Sequence, residues 1–268
     1  MGVMNVFKLS IITILLITMP VIFIGCDENE ELTGKELIKA ANQNFEEADS
    51  YRSDANLEMT TMGMVTESEM SMKYLDDENY YMDMYLTTMG QELRAKFLME
   101  NGELKVDSED PFLGSADLTQ LQEEMDLQQY EDYFFVEDSD VEETELPENF
   151  DKEGYAAYII RPDSDKIKEM AREEAMNQPI PEKEDESPDD LVEELMDNIE
   201  IEVETLMVVD VDEQNIVYTD MDMVQIFDMD SMSEKEEGMP GMDSEMKISI
   251  KMEAEYYDYN EPLELPEI

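Results

Sequence analysis

The sequence predicts an α+β fold: one large, curved, mostly antiparallel sheet with an N-terminal helix and central helices on its apolar face. Three observations predict it. Apolar residues recur at every second position through two long stretches of the chain. Short turn-forming segments separate these runs. A few segments instead carry apolar residues at helical spacing, and their stripes need the apolar face of a sheet to be buried.

The N-terminal segment stands apart from this pattern. Lys8 is the one charge before an apolar run from Leu9 to Ile24, followed by Gly25, Cys26 and the acidic Asp27-Glu28. A charged start, an apolar stretch and a small residue at the cut site describe an export signal. The run is about 16 residues long, short of the roughly 20 that a membrane-spanning helix needs. Phe23-Ile24-Gly25-Cys26 resembles a lipobox, whose cysteine is acylated and becomes the new first residue. The expectation is a lipoprotein-type signal peptide at 1–25, a tether at 26–32, and a single domain at 33–268. Cys26 is the lipid-attachment residue, and the chain is held at the cell membrane on its extracytoplasmic side. An uncleaved N-terminal anchor is the alternative. The same assignment accounts for the lone cysteine, which cannot form an internal disulfide.

Within the domain, Thr33–Asp49 reads as a helix. Leu37, Ile38, Ala41, Phe45 and Ala48 form one stripe, with Thr33 and Glu36 as a capping box. From Tyr51 the period changes to two. Ala55, Leu57 and Met59 alternate with polar neighbours. Met70, Met72 and Tyr74 do the same, then Tyr80, Met82, Met84 and Leu86, then Leu93, Ala95, Phe97 and Met99, then Leu104 and Val106. Turns at Thr61–Val65, Asp76–Asn79, Thr88–Gln91 and Asn101-Gly102 join them into a five-stranded meander with one apolar face.

A short helix is expected at Asp117–Met125, and Tyr130–Val136 is either extended or helical. Tyr155–Arg161 is a strand ended by Pro162, and Ser164–Met176 a helix. An acidic, Pro-containing loop covers 177–190, and Asp190–Asp197 is a short helix or the exit of that loop. Ile199–Val209 and Val217–Phe227 are strands, 231–244 is an acidic loop, and Glu245–Tyr257 is the last strand. There Met246, Ile248, Ile250 and Met252 face one way, and Lys247, Ser249, Lys251 and Glu253 the other.

Composition excludes several functions. Seventy-two acidic residues against 17 basic ones give a formal charge of −55. Nucleic acid as a partner is excluded, because phosphate contacts need Lys and Arg. Self-repulsion of this size opposes the compact state and is relieved by salt, so a saline, halophilic setting is expected. There is no His, the commonest general base and metal ligand. No Gly-x-Ser-x-Gly, Ser-x-x-Lys or Gly-rich phosphate loop occurs. The reading is therefore non-enzymatic, with no catalytic residues, no cofactor and no metal site. Asp210-x-Asp212 and Asp228-x-Asp230 lack the glycine and glutamate that a calcium loop needs. The carboxylates of Glu137–Glu145 read as solvated surface.

Three passages carry a resemblance to a known family. Asn44-Phe-Glu-Glu-Ala-Asp-Ser-Tyr51 runs a helix end into the first strand. The meander follows. Tyr257-Asp-Tyr-Asn-Glu-Pro-Leu-Glu-Leu-Pro266 closes the chain with an Asn-x-Pro tail. Together they resemble the LolA-like and LppX/LprG-like lipoprotein carrier group. That resemblance implies that the sheet is an unclosed β-barrel (a half-barrel) wrapped around helices, with an apolar cavity between sheet and helices that holds lipid or the acyl chains of a lipoprotein. The acidic insertions at 177–190 and 231–244 are not part of the group's pattern.

Methionine is the compositional oddity, with 25 residues. Its flexible, polarizable side chain suits surfaces that fit varied apolar partners. The candidate cavity lining is Leu57, Met59, Met70, Met72, Met82, Met84, Phe97, Met99, Met246, Ile248, Ile250 and Met252. Two alternatives stand beside this one. An envelope protein with a filled core would use methionine as filler and act through protein contacts. A Cu(I) binder would use the thioethers of Met59-Thr-Thr-Met62-Gly-Met64 and Met239-Pro-Gly-Met242. The expected partners are the membrane, through the lipidated N-terminus, and a lipid or lipoprotein ligand, with the protein as a monomer.

Overall fold

The computed structural model describes residues 34–76, 78–88, 90–108, 139–150, 153–177, 198–228 and 245–268. Cys26 with its signal segment and tether, the elements expected at Asp117–Met125, Tyr130–Val136 and Asp190–Asp197, and the loops at 178–190 and 231–244 lie outside the described residues.

The described chain forms helix α1 (Lys35–Glu46) and strands β1 (Tyr51–Thr61), β2 (Met64–Asp76), β3 (Asn79–Thr88), β4 (Gln91–Glu100) and β5 (Glu103–Ser108). β6 (Asp140–Thr144), β7 (Tyr155–Arg161), helix α2 (Ser164–Asn177), β8 (Ile199–Asp210), β9 (Asn215–Asp228) and β10 (Glu245–Tyr257) follow. The strands make one ten-stranded sheet in the order β5-β4-β3-β2-β1-β10-β9-β8-β7-β6. Every neighbouring pair is antiparallel. The first and last strands of the chain thus meet in the middle. β5 and β6 are left as edges, so the sheet is unclosed. Both edges are short and charged, with Glu103, Lys105 and Asp107 on β5 and Asp140, Glu142 and Glu143 on β6. Such residues discourage edge-to-edge pairing with other chains.

The period-two reading gives most strands to within a few residues. The expected Thr61–Val65 turn is tighter than that: Thr61 pairs with Met64, and only Met62 and Gly63 lie between the strands. β6 falls inside the segment read as solvated acidic surface. Val141 is its one apolar residue, too little for alternation to show, and pairing with β7 supplies its ladder.

The expected capping box is corrected. Gly34 caps α1 at φ 54° with no side-chain cap hydrogen bond, and the helix ends at Glu46 rather than Asp49. That backbone geometry lies in the region that glycine enters without steric cost. α2 starts as a polar cap should, for Asp163 Oδ1 accepts from the Asp165 and Lys166 amides at 2.9 and 3.3 Å. Asp210 works in the same way in the β8–β9 turn, accepting from Asp212 and Glu213 N–H at 3.0 and 2.9 Å. This Asx turn gives Asp210-x-Asp212 a structural role.

α1 packs against β8 and β9, and α2 against β8. The main core surrounds α1: Leu37, Ile38, Ala41 and Phe45 meet Tyr51, Tyr158, Ile160, Met207, Val209 and Ile216. Met72 and Tyr74 of β2 join it on one side and Val141 of β6 on the other, so this one cluster draws on seven consecutive strands.

Candidate functional site

The strand registers decide which side chains share a face. Along β1, Tyr51, Ser53, Ala55, Leu57, Met59 and Thr61 are buried or half-buried, and Asp54, Asn56 and Glu58 are exposed. Their partners across the ladders extend the buried face. Leu57 and Met59 stand opposite Met252 and Ile250 of β10, and Ala55 opposite Met70 of β2. Met70 in turn faces Met84, and Met72 faces Met82. Met82 is opposite Phe97, and Tyr80 opposite Met99. All the candidate lining residues therefore lie on one face.

They do not form a single cluster. Leu57, Met59, Ile250 and Met252 pack with Met221, with Ile248 beside them. Phe97 and Met99 pack with Tyr80, Ala95 and Leu104, with Met82 and Met84 alongside. Met246 and Ile248 border a third group around Ile167, Ile199, Ile201 and Phe227. The β1, β4 and inner β10 members are buried, whereas Met70, Met72, Met82 and Met84 remain partly exposed. Met221, Met223 and Met207 belong to the same face, from β9 and β8. They sit in the same alternation that marked the other methionines. Met59 is buried in its cluster while Met62 is exposed at the turn; Met239 and Met242 lie outside the described residues.

The two ends of this face differ. At the end where β1 begins and β10 finishes, aromatic rings pack together. Phe45 lies 4.6 Å from Tyr51 and 5.3 Å edge-on to Tyr256, and Tyr51 stacks on Tyr74 at 4.9 Å. Tyr259 joins them, 6.1 Å from Tyr51, and its hydroxyl donates to the Ile216 carbonyl at 2.6 Å. Burial pushes the Tyr256 and Tyr259 phenols upward in pKa, so both stay neutral and act as packing groups. The tail holds this end shut. Asn260 Oδ1 accepts from Asp49 N–H at 2.7 Å, Asn260 N–H donates to Ser50 O at 2.8 Å, and Ser50 Oγ donates to Glu261 O at 2.7 Å.

At the other end, where β1 turns into β2, the face becomes hydroxylated. Thr66 and Thr88 share a hydrogen bond of 3.0 Å. Thr61 Oγ1 and Ser68 Oγ are buried with no hydrogen-bond partner among the described residues. From the aromatic end to the turn, β2 thus presents Tyr74, Met72, Met70, Ser68 and Thr66 in sequence.

The opposite face of the sheet is polar. It carries a groove of about 530 Å³ lined by Asp54, Asn56, Glu69, Ser71, Asp83, Tyr85 and Arg94, with the backbones of Ala55 and Met70 as its floor. Arg94 donates to both Asp83 oxygens, at 3.0 and 2.6 Å. That hydrogen bonding holds the Asp83 carboxyl below the usual carboxylate range. Ser71 hydrogen-bonds Asp54, which also accepts from Tyr257 OH at 2.8 Å. Within the groove, Asp83 and Arg94 are thus committed to each other, and Asp54 to Ser71 and Tyr257. Among the described residues, no group of three or more potential ligands could hold a metal ion. None of the described helices is long and apolar enough to cross a membrane.

No protein family model and no curated protein matches the chain. Among solved structures, a LolA superfamily protein from Nitrosomonas europaea is 9% identical, with 88% of this chain and 96% of that one covered, at a TM-score of 0.21. A DUF1329 family protein from Desulfovibrio piger is 11% identical, with 87% and 94% covered, at a TM-score of 0.20. Likenesses at this level establish neither family nor activity.

Proposed function

We propose that this chain is a lipid-anchored, extracytoplasmic binding protein whose sheet curls around its helices and takes an apolar ligand, such as an acyl chain, along its methionine face. One observation carries the reading. Met70, Met72, Met82 and Met84 form a block across β2 and β3 and are only partly buried, while the described helices lie chiefly over β8 and β9 and only Met72 of the four borders the α1 cluster. Apolar surface of this kind gains roughly 25 cal/mol for each Å² that a ligand removes from water. Thioether side chains can adapt to ligands of different shape.

Curling follows from size. Seven strands laid flat span about 29 Å at a spacing of about 4.8 Å, whereas a helix with its side chains is about 10–12 Å wide. One cluster around α1 that reaches from β2 to β6 is best met by a sheet bent around that helix. The face also has a direction, with an aromatic plug at one end, methionines in the middle and hydroxyls towards the β1–β2 turn. An amphipathic ligand fits that order with its chain on the methionines. Its polar head would then satisfy Thr61 and Ser68. The role is binding rather than catalysis.

Displacement of a fluorescent fatty-acid probe tests this. The full chain binds the probe, and the Met70→Gln/Met82→Gln variant weakens binding about tenfold, equivalent to roughly 1.4 kcal/mol, with its melting temperature kept. Absence of probe binding by the folded wild type would favour the filled-core reading instead.

A further inference from the structure

We infer that the end of the sheet bearing the β1–β2 and β3–β4 turns is a membrane-contact surface, its tips entering the headgroup layer of a zwitterionic bilayer. The argument comes from the turns and does not depend on a ligand inside the sheet. Met62, Met64 and Val65 at the first turn are 57%, 40% and 46% exposed, three large apolar side chains side by side in sequence. Scattered exposed hydrophobics are ordinary, but grouped ones mark contact sites.

The turns at the two ends of the sheet differ in kind. Thr-Thr-Met-Gly occurs twice, at 60–63 and again at 87–90, and the stretches 60–66 and 87–91 hold no charge. Both lie at the same end of the sheet. Each turn at the opposite end is acidic: Asp76 to Asn79, Glu100 to Glu103, and Asp210 to Asn215. In a chain of formal charge −55, the two hairpin turns at one end have thus been kept neutral and apolar.

Turn geometry does not require this. Met62-Gly63 has φ 52° and 77°, and Asn101-Gly102, at the acidic end, has φ 53° and 75°. The backbone path is the same, and Asn-Gly is the pair that such hairpins favour. Among the described non-glycine residues at positive φ, the others are Asn101, Gln214, Asp258 and Asn260, all polar. Methionine is disfavoured there by both conformation and exposure, so its presence points to an apolar partner. Residues 229–244, which join β9 to β10 at this end, include acidic side chains. A zwitterionic surface is therefore a better fit than an anionic one.

The chain contains no Trp, so a single introduced tryptophan reports unambiguously. The full chain carrying Met64→Trp is reconstituted with phosphatidylcholine vesicles containing lipids brominated on their acyl chains, and compared with Val211→Trp at the opposite end. The expected result is a blue shift and strong quenching for Met64→Trp, several-fold above Val211→Trp. Adding Met62→Asn and Val65→Thr, which keeps the turn as Asn101-Gly102 does, should lower that quenching without lowering the melting temperature. Equal quenching at both positions, no quenching at position 64, or failure to associate with vesicles overturns the inference. So does a blue shift without vesicles that grows with protein concentration, which would assign the tips to a second copy of the chain.

Discussion

Asp220 on β9 stands directly opposite Glu253 of β10. Burial and then the Glu253 charge raise its pKa above the ordinary aspartate value. Between the unfolded and folded pKa values the native state holds more protons, so this group's contribution is present at low pH and is lost as pH rises through the folded value. Asp220→Asn should therefore stabilise the protein at pH 7 by about 0.2–1 kcal/mol, the scale of a like-charged cross-strand pair, and leave stability near pH 3 almost unchanged. Denaturant melts at the two pH values check this, and an equal effect at both would contradict it. The ring cluster offers a second test. Phe45→Ala removes a buried ring that meets Tyr51, Tyr256 and Tyr259, at a cost of about 3–5 kcal/mol. Asn260→Ala deletes one hydrogen bond to Asp49 and should cost about 1 kcal/mol. A null result for Phe45→Ala would mean that the aromatic end is not packed as described.

At the scale of elements, the strands were legible because alternation survives in them. Glu245–Tyr257 reads the same in sequence and structure, since charged and apolar residues trade places at nearly every step. β6 was hidden because Asp-Val-Glu-Glu-Thr holds one apolar residue, and its pairing depends on β7, which no local pattern announces. The start of α1 misled for a related reason. Thr33 and Glu36 have the spacing of a capping box, but Gly34 takes a positive φ, and backbone geometry overrides the local signal. The candidate lining was legible as a face, because the period of two assigns sides without any knowledge of partners. Which lining residues are buried and which remain open was not, since that depends on where α1 and α2 land. Gly63→Ala tests the element scale. At φ 77° a Cβ costs about 1–2 kcal/mol, even though nothing lies within 4 Å of the added atom.

For the whole molecule, two long-range properties dominate. A formal charge of −55 resists compaction, and the Debye length falls from about 10 Å at 0.1 M salt to about 3 Å at 1 M. The melting temperature should accordingly rise between those concentrations, and a flat response would remove the halophilic reading. The second property is the apolar face that β4, β3, β2, β1 and β10 share. Native mass spectrometry of the full chain, gently purified from its expression host, tests the central claim most directly. The account expects adducts of lipid mass that survive transfer to the gas phase and diminish in the Met70→Gln/Met82→Gln variant. A folded wild-type protein that carries no such adduct, and gains none when incubated with membrane lipid, would contradict it.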